Sequence, residues 1–235
     1  FNQSNIKQIK GDASFRKFYR KKNKKNNSII VYAKKEKVKN LLNYDAVNQI
    51  LLKNKILAPK TILNNFNKNF IEIEDLGNQD LINILKKKKI NKNKVYKKVL
   101  IILKKMQNIK TKKIKNFKNK LYTIPTYSRN LLYKESNLFL EWYVPKVLNK
   151  KKKKKINNQL KKIIKFLIKK ILLPNNTFVH RDFHMSNLMM SNNKISVIDS
   201  QDAVYGNIAY DLASLIDDVR FRTSNKLKKK FIKII

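Results

Sequence analysis

Three side chains in the last quarter of the chain have the types and spacing to hold a metal-bound phosphate and to take a proton. Asp182 and Asn187 stand five residues apart in FVHRDFHMSNLMM (178–190). Asp199 closes the apolar run ISVI (195–198), twelve residues after Asn187. A carboxylate such as Asp182 can accept the proton of an attacking hydroxyl. The amide oxygen of Asn187 and the carboxylate of Asp199 can hold Mg²⁺ against nucleotide phosphates, because hard cations take oxygen ligands. One loop carrying Asp182 and Asn187 can turn both toward one cleft. A buried strand ending at Asp199 would deliver a third oxygen to the same place. The chemistry is transfer of a phosphoryl group to a hydroxyl. The plain alternative is a chance His-Arg-Asp with acids that cap turns, but the full set at these offsets is far more specific than the tripeptide alone.

The elements that must position these groups can be read from periodicity. Residues 11–20 and 27–35 read as strands around the basic turn KKNKKNN (21–27), and 38–54 as a helix. Residues 61–65 and 69–75 read as a hairpin, so the first 75 residues run β-β-α-β-β. After EDLG (74–77) the pattern turns helical. Asp80 can cap a helix through Leu81, Ile84 and Leu85. Val95, Val99, Ile102, Leu103 and Met106 mark a second helix, and 130–148 a helix or helix pair that Pro145 ends or kinks. Lys150–Lys155 is a solvated lysine run. A helix with apolar residues from Ile156 to Ile171 follows. The acidic segment reads as loop, short strand, turn, strand KISVID, loop and the helix YDLASLIDD. The whole is an α+β chain: a small β-rich lobe, residues 1–77, and a mainly helical lobe, residues 78–235.

Composition bounds the partners. The 235 residues carry 56 Lys and Arg against 15 Asp and Glu, a net charge of +41. Such a charge permits nonspecific binding of nucleic acid or another polyanion. Lys, Asn and Ile dominate while Gly and Pro are scarce, so A/T-rich codons account for most of it without any such partner. Against that background, six of the fifteen acids fall between residues 178 and 218. No cysteine is present, which excludes disulfides and zinc–thiolate sites. No apolar run approaches the roughly 20 residues of a membrane span. No signal peptide is visible, which points to the cytoplasm. The start at Phe1 and the end in KKKFIKII read as a fragment or truncated product.

His-Arg-Asp followed by four residues and then Asn is the catalytic-loop pattern of kinases. A protein kinase follows its metal-binding Asp with Phe-Gly and a long peptide-supporting segment. Here Asp211, already entering a helix, comes twelve residues after Asp199. HRDFHMSN, IDSQD and YDLA resemble the aminoglycoside phosphotransferase and choline kinase superfamily. GDASFRKFYR, EDLG, LFLEWYV, HRDFHMSNLM and IDSQDAVYGNIAYDLASLIDDVR together resemble one branch, the bacterial anomeric kinases of N-acetylmuramate and N-acetylglucosamine used in cell-wall recycling. The resemblance runs from about residue 10 to 222.

It implies a two-lobed, protein-kinase-like fold, with ATP and Mg²⁺ as cofactors and a small-molecule acceptor, an amino sugar in this branch. Asp182 would be the base, and Asn187 and Asp199 the metal ligands. His180, Asp202 and Asp211 would brace the loop. Gly11, Asp12, Ala13 and Ser14 would turn over the phosphates, and Glu74, Asp75 and Leu76 would form the adenine-reading hinge. Kinases place a phosphate-binding lysine on the third strand, and Lys34 in VYAKK is the candidate. Glu141 and Trp142 would border the acceptor, with a core position as the alternative for Trp142. Two other functions compete: an aminoglycoside- or choline-type kinase, and a non-catalytic polyanion binder on a kinase-like fold. Oligomeric state has no signature in the sequence.

Overall fold

A computed structural model describes residues 5–9, 15–24, 26–87, 90–148, 150–172, 174–191 and 193–233. The N-terminal part is a five-stranded antiparallel sheet of β1 (Ile6–Ile9), β2 (Arg16–Lys21), β3 (Ser28–Ala33), β4 (Thr61–Asn65) and β5 (Phe70–Glu74), in the order β1-β2-β3-β5-β4. SIIVYA is β-branched and aromatic, suits a pleated surface, and fills the middle of the sheet as β3. The edge strand β1 carries only four residues, IKQI, too short an alternation to separate from coil by pattern alone. The residues Gly11, Asp12, Ala13 and Ser14 lie outside the described ones.

Helix α1 (Lys39–Lys53) enters between β3 and β4 and covers one face of the sheet. Leu41 and Tyr44 of α1 pack there against Ile29, Val31 and Ala33 of β3 and Ile71 and Ile73 of β5. Another side of α1 joins a second and larger core. Ala46, Val47, Ile50 and Leu51 pack with residues of the helical part, among them Leu103, Phe178, Val197 and Leu215. One helix is therefore wedged between the two halves. Asn48 of α1, 2% exposed, bridges them by hydrogen bonds, donating to the Pro59 carbonyl at 3.0 Å and accepting from the Ser200 hydroxyl at 2.6 Å.

The helical part contains α2 (Leu81–Lys87), α3 (Lys92–Gln107), the hairpin β6 (Lys113–Lys115) and β7 (Leu121–Thr123), α4 (Arg129–Leu138) and α5 (Val144–Val147). Asp80 caps α2, accepting the Asn83 N–H at 2.6 Å. A π-helical turn, Phe139–Tyr143, precedes α5 and lets the chain run on through Pro145, which has no N–H to donate. Then follow α6 (Lys150–Lys170), β8 (Asn175–Val179), β9 (Leu188–Ser191), β10 (Lys194–Val197), β11 (Val204–Asn207), α7 (Tyr210–Ile216) and α8 (Asn225–Ile232). The lysine run 150–155 is the first part of α6. Along α6 only Ile168 of the apolar stripe is fully buried, while Ile163 and Leu167 stay half exposed. β9 and β10 form a hairpin, and β8 pairs antiparallel with β11. Among the described residues no helix is long and apolar enough to cross a membrane.

Asp45 of α1 is buried and ties three elements together. Its carboxylate accepts from the Thr61 hydroxyl of β4 at 2.7 Å, from Gln49 Nε2 at 2.6 Å and from the Phe117 backbone N–H at 2.9 Å. Removing the acceptor leaves the desolvation of these part-buried donors uncompensated. Asp45→Ala is therefore expected to lower the unfolding free energy by about 2–4 kcal/mol in urea titration. A loss below about 0.5 kcal/mol would show that this network carries no stability.

Candidate active site

Residues 180–187 form the loop between β8 and β9. The loop hangs from Asp211 of α7, which is 1% exposed. The Asp211 carboxylate accepts the His180 backbone N–H at 2.7 Å and the Arg181 backbone N–H at 3.0 Å. His180 is fully buried, and its Nε2–H donates to the Ile198 carbonyl at 3.1 Å. Burial lowers its pKa, so the ring is neutral with its proton on Nε2. This bond joins the loop to the strand end that carries Asp199.

The β9–β10 hairpin finishes the geometry. Its register pairs Leu188 with Val197, and the Ile198 N–H donates to the Asn187 carbonyl at 3.0 Å. Asn187 and Asp199 therefore leave adjacent chain segments. Asn187 Nδ2 donates to the Asp182 carbonyl at 3.0 Å, which commits the amide nitrogen to the loop and leaves Oδ1 as the outward donor atom. The His184 N–H donates to the same Asp182 carbonyl at 3.0 Å. The side chain of Asp182 itself is exposed. Arg181 (φ +78°) and Asp199 (φ +65°) are both left-handed. That conformation is strained for a residue with a side chain and is held only where surrounding bonds over-determine it. Here those bonds come from Asp211, His180 and Asn187.

This donor set fits Mg²⁺. A carboxylate and an amide leave adjacent chain segments, and both are oxygen ligands of the kind that ion takes together with phosphate oxygens and water. Among the described residues no three His, Cys, Asp or Glu side chains converge on a closed metal cage.

Arg16 and Glu135 were not foreseen as site residues. Arg16 of β2, 6% exposed, reaches the Asp199 carboxylate at 2.5 Å through Nη2 and the Gln201 side-chain oxygen at 2.6 Å through Nη1. Gln201 Nε2 donates in turn to the Asp202 carboxylate at 2.7 Å. Glu135 of α4 pairs with the Arg181 guanidinium and accepts the Tyr127 hydroxyl, and Arg181 Nη1 also donates to the Asp202 carbonyl at 3.3 Å. Burial, then the bond to Glu135, push the Tyr127 hydroxyl pKa up, so it stays a donor. No local pattern could reveal Arg16 and Asp199 as partners, because 183 residues separate them. Glu135 had a signal: it is the one acid of α4, RNLLYKESNL.

Other expected positions fall as follows. Lys34 lies beyond the end of β3 and is exposed. Asp75 is turned to structure: Arg20 grips its carboxylate at 2.6 and 3.0 Å, and the Gly77 N–H donates to it at 2.9 Å. The Glu74 N–H donates to the Lys60 carbonyl at 2.9 Å. Glu141 accepts from Asn137 Nδ2 at 2.9 Å. Trp142 is 69% exposed, which rules out the core position, because the π-helical turn aims it outward.

Residues 5–233 match the model of the phosphotransferase enzyme family. The chain belongs to that family. It is 28% identical over 207 residues to an N-acetylmuramate/N-acetylglucosamine kinase of Pseudomonas putida, covering 88% of this chain and 58% of that protein. It is 39% identical over 95 residues to a protein of the same name from Neisseria meningitidis, covering 40% of this chain and 28% of that one. The chain thus spans little more than half the length of the curated relatives it matches. Choline kinase LicA of Streptococcus pneumoniae superposes with a TM-score of 0.67 at 15% identity, covering 97% of this chain and 73% of that one. An aminoglycoside phosphotransferase in a ternary complex with streptomycin and ATP gives 0.64 at 13%, covering 97% and 76%. The fold is α+β and kinase-like, an antiparallel sheet lobe followed by a helical lobe.

Burial pushes the Asp211 carboxyl from 3.8 up to about 7, against the pull of its two N–H donors. Between those values the folded state holds a proton that the unfolded state has released. This group's contribution to stability is thus complete below about pH 4, falls as pH rises to about 7, and is flat above. Asp211→Asn cannot titrate. The unfolding free energy of the parent minus that of the variant is expected to decline across that window, by at most about 1.4 kcal/mol per pH unit. Denaturant titrations from about pH 4.5 to 8 check this, and a difference that is constant or rises with pH would contradict it.

Proposed function

We propose that the protein transfers the γ-phosphoryl group of ATP, with Mg²⁺, to the anomeric hydroxyl of an amino sugar of the N-acetylmuramate/N-acetylglucosamine type. The observation that carries the phosphotransferase reading is the juxtaposition of Asp182, Asn187 and Asp199 by the β9–β10 hairpin and the Asp211 clamp. The acceptor class draws support from the names of the curated relatives and from the LFLEWYV segment. Residues 1–77 form the nucleotide-binding lobe with its hinge in this reading, and residues 78–235 the lobe of catalytic loop and acceptor. ATP as donor places the reaction in the cytoplasm.

Each residue has a chemical task. Asp182, exposed on its loop, accepts the hydroxyl proton as the acceptor oxygen bonds to the γ-phosphorus and the bond to the β-phosphate oxygen breaks. Asn187 Oδ1 and the Asp199 carboxylate would hold the metal, which would supply positive charge to offset the phosphate oxygens that otherwise repel the attacking oxygen. Glu74 and Leu76 offer backbone groups to the adenine, and Gly11 to Ser14 would close over the phosphates. Glu135 fixes Arg181, so that Asp182 leaves the backbone at a set angle. An anomeric hydroxyl is more acidic than an ordinary sugar alcohol, which suits a carboxylate as base. Exposed Trp142 offers an aromatic face of the kind that sugars stack on.

Asp182→Asn is nearly isosteric and cannot accept the proton. It is expected to lower kcat about 10²–10⁴-fold while ADP affinity stays unchanged. A kcat within about tenfold of the parent would remove Asp182 from the role of base. The acceptor is tested separately. With ATP and Mg²⁺, free N-acetylmuramate or N-acetylglucosamine is expected to be phosphorylated and the methyl glycosides are not. Equal turnover of both forms would overturn the anomeric assignment, and turnover only of an aminoglycoside or of choline would replace the acceptor class.

A further inference from the structure

Kinases place a lysine of the third strand against the nucleotide phosphates, and Lys34 was the candidate for that place. The structure offers none there. The inward positions of β3 are Ile29, Val31 and Ala33, all apolar and packed against α1. Lys34 follows the strand and faces solvent. The one acid of α1, Asp45, is turned to Thr61, Gln49 and the Phe117 N–H.

Arg16 stands where that lysine is missing. In the β2–β3 register Arg16 is paired with Ala33 and Phe18 with Val31, and directly opposed residues share a face of the sheet. The Arg16 side chain therefore rises beside Ala33, on the face that meets α1. Its guanidinium carbon lies 5.5 Å from the Phe18 ring centroid and 5.8 Å from that of Tyr44. From there it crosses to the helical lobe and bonds Asp199 Oδ1 and Gln201 Oε1. The Arg16 side chain is 4% exposed and that of Asp199 is 35% exposed, so the carboxylate faces the cleft with the guanidinium behind it. The choice of residue is informative too. Lysine is the default cation of this chain, which contains only six arginines. A planar fork with fixed donors is what a lysine cannot supply.

We propose that Arg16 is the positioning residue of the metal carboxylate and carries from β2 the role that other kinases give to a lysine on the third strand. Its fork holds Asp199 Oδ1 and Gln201, which turns Asp199 Oδ2 to the metal. Its charge offsets that of the phosphates. The proposal rests on the phosphotransferase reading, and it also explains how the left-handed Asp199 keeps one orientation.

The test measures ADP affinity by calorimetry, the Mg²⁺ concentration that half-saturates that binding, and the urea midpoint, for the full chain and three variants. In Arg16→Met, ADP affinity with Mg²⁺ is expected to fall at least about tenfold and the Mg²⁺ midpoint to rise. Arg16→Lys keeps the charge without the fork and is expected to lose about threefold to tenfold. A merely structural role would lower the urea midpoint and leave the Mg²⁺ midpoint unmoved, and that result overturns the proposal. If Arg16→Met does not fold, Arg16→Lys decides, and parental affinity with a parental Mg²⁺ midpoint overturns it. Loss of affinity in Lys34→Met with Arg16→Met unaffected also overturns it, by returning the role to the third strand. A parent chain that binds no ADP with Mg²⁺ defeats the phosphotransferase reading itself, an outcome distinct from parental binding retained in the Arg16 variants.

Discussion

A buried carboxylate of α7 holds the backbone of the loop on which the proposed chemistry depends. Asp211 takes the N–H groups of His180 and Arg181, one on each oxygen. A buried N–H must be paired, and few other acceptors could serve two successive ones at once. The turn this imposes leaves Arg181 left-handed and Asp182 exposed. His180, fixed by the same bonds, spends its one ring proton on the Ile198 carbonyl and so sets the entry of Asp199. Asn187 then closes the circle through its carbonyl and its amide. The proton acceptor and metal ligands of the proposed reaction would thus share one frame, and the frame depends on a carboxylate that would touch none of the reacting atoms.

The charge of +41 sharpens this picture. In such a chain an acid persists where a lysine or asparagine cannot replace it. Asp45 joins α1 to β4, Glu72 takes Ser28 and Lys21, Asp75 braces the hinge, and Glu135 holds Arg181. The arginines follow the same logic. Arg16, Arg20, Arg181 and Arg220 each pair with a carboxylate, where the guanidinium geometry matters. Most lysines are spread over the surface, and their number reflects composition more than any one partner.

Much of this was legible in the sequence because chemistry and composition pulled in opposite directions. The offsets among Asp182, Asn187 and Asp199 pointed to one cluster, and the β9–β10 hairpin brings the segments of Asn187 and Asp199 together. The apolar run ISVI marked a strand that turned out to be β10. Helices α1 and α3 followed from periodicity, and the cap at Asp80 from its type and place. Short elements stayed hidden. KIK and LYT of β6 and β7 are too brief to stand out, and NNTFV and VYGN pair as β8 and β11 only through long-range contact. By type Trp142 reads more readily as a core residue, and the structure leaves it 69% exposed instead. Lys34 was the natural third-strand cation by type and order. Register, which no local pattern encodes, gives that side of the sheet to Arg16 instead.

The measurement that bears most directly on the site is ADP binding with and without Mg²⁺ at constant ionic strength, repeated between about 50 and 200 mM salt. A nucleotide held by Asn187 and Asp199 through the metal binds at least about tenfold tighter with Mg²⁺ and changes little over that salt range. A chain that gathers phosphates by its lysines alone would show no gain with Mg²⁺ and a steep fall in affinity with salt. That outcome would contradict the metal–phosphate site and make the protein a polyanion binder on a kinase-like fold.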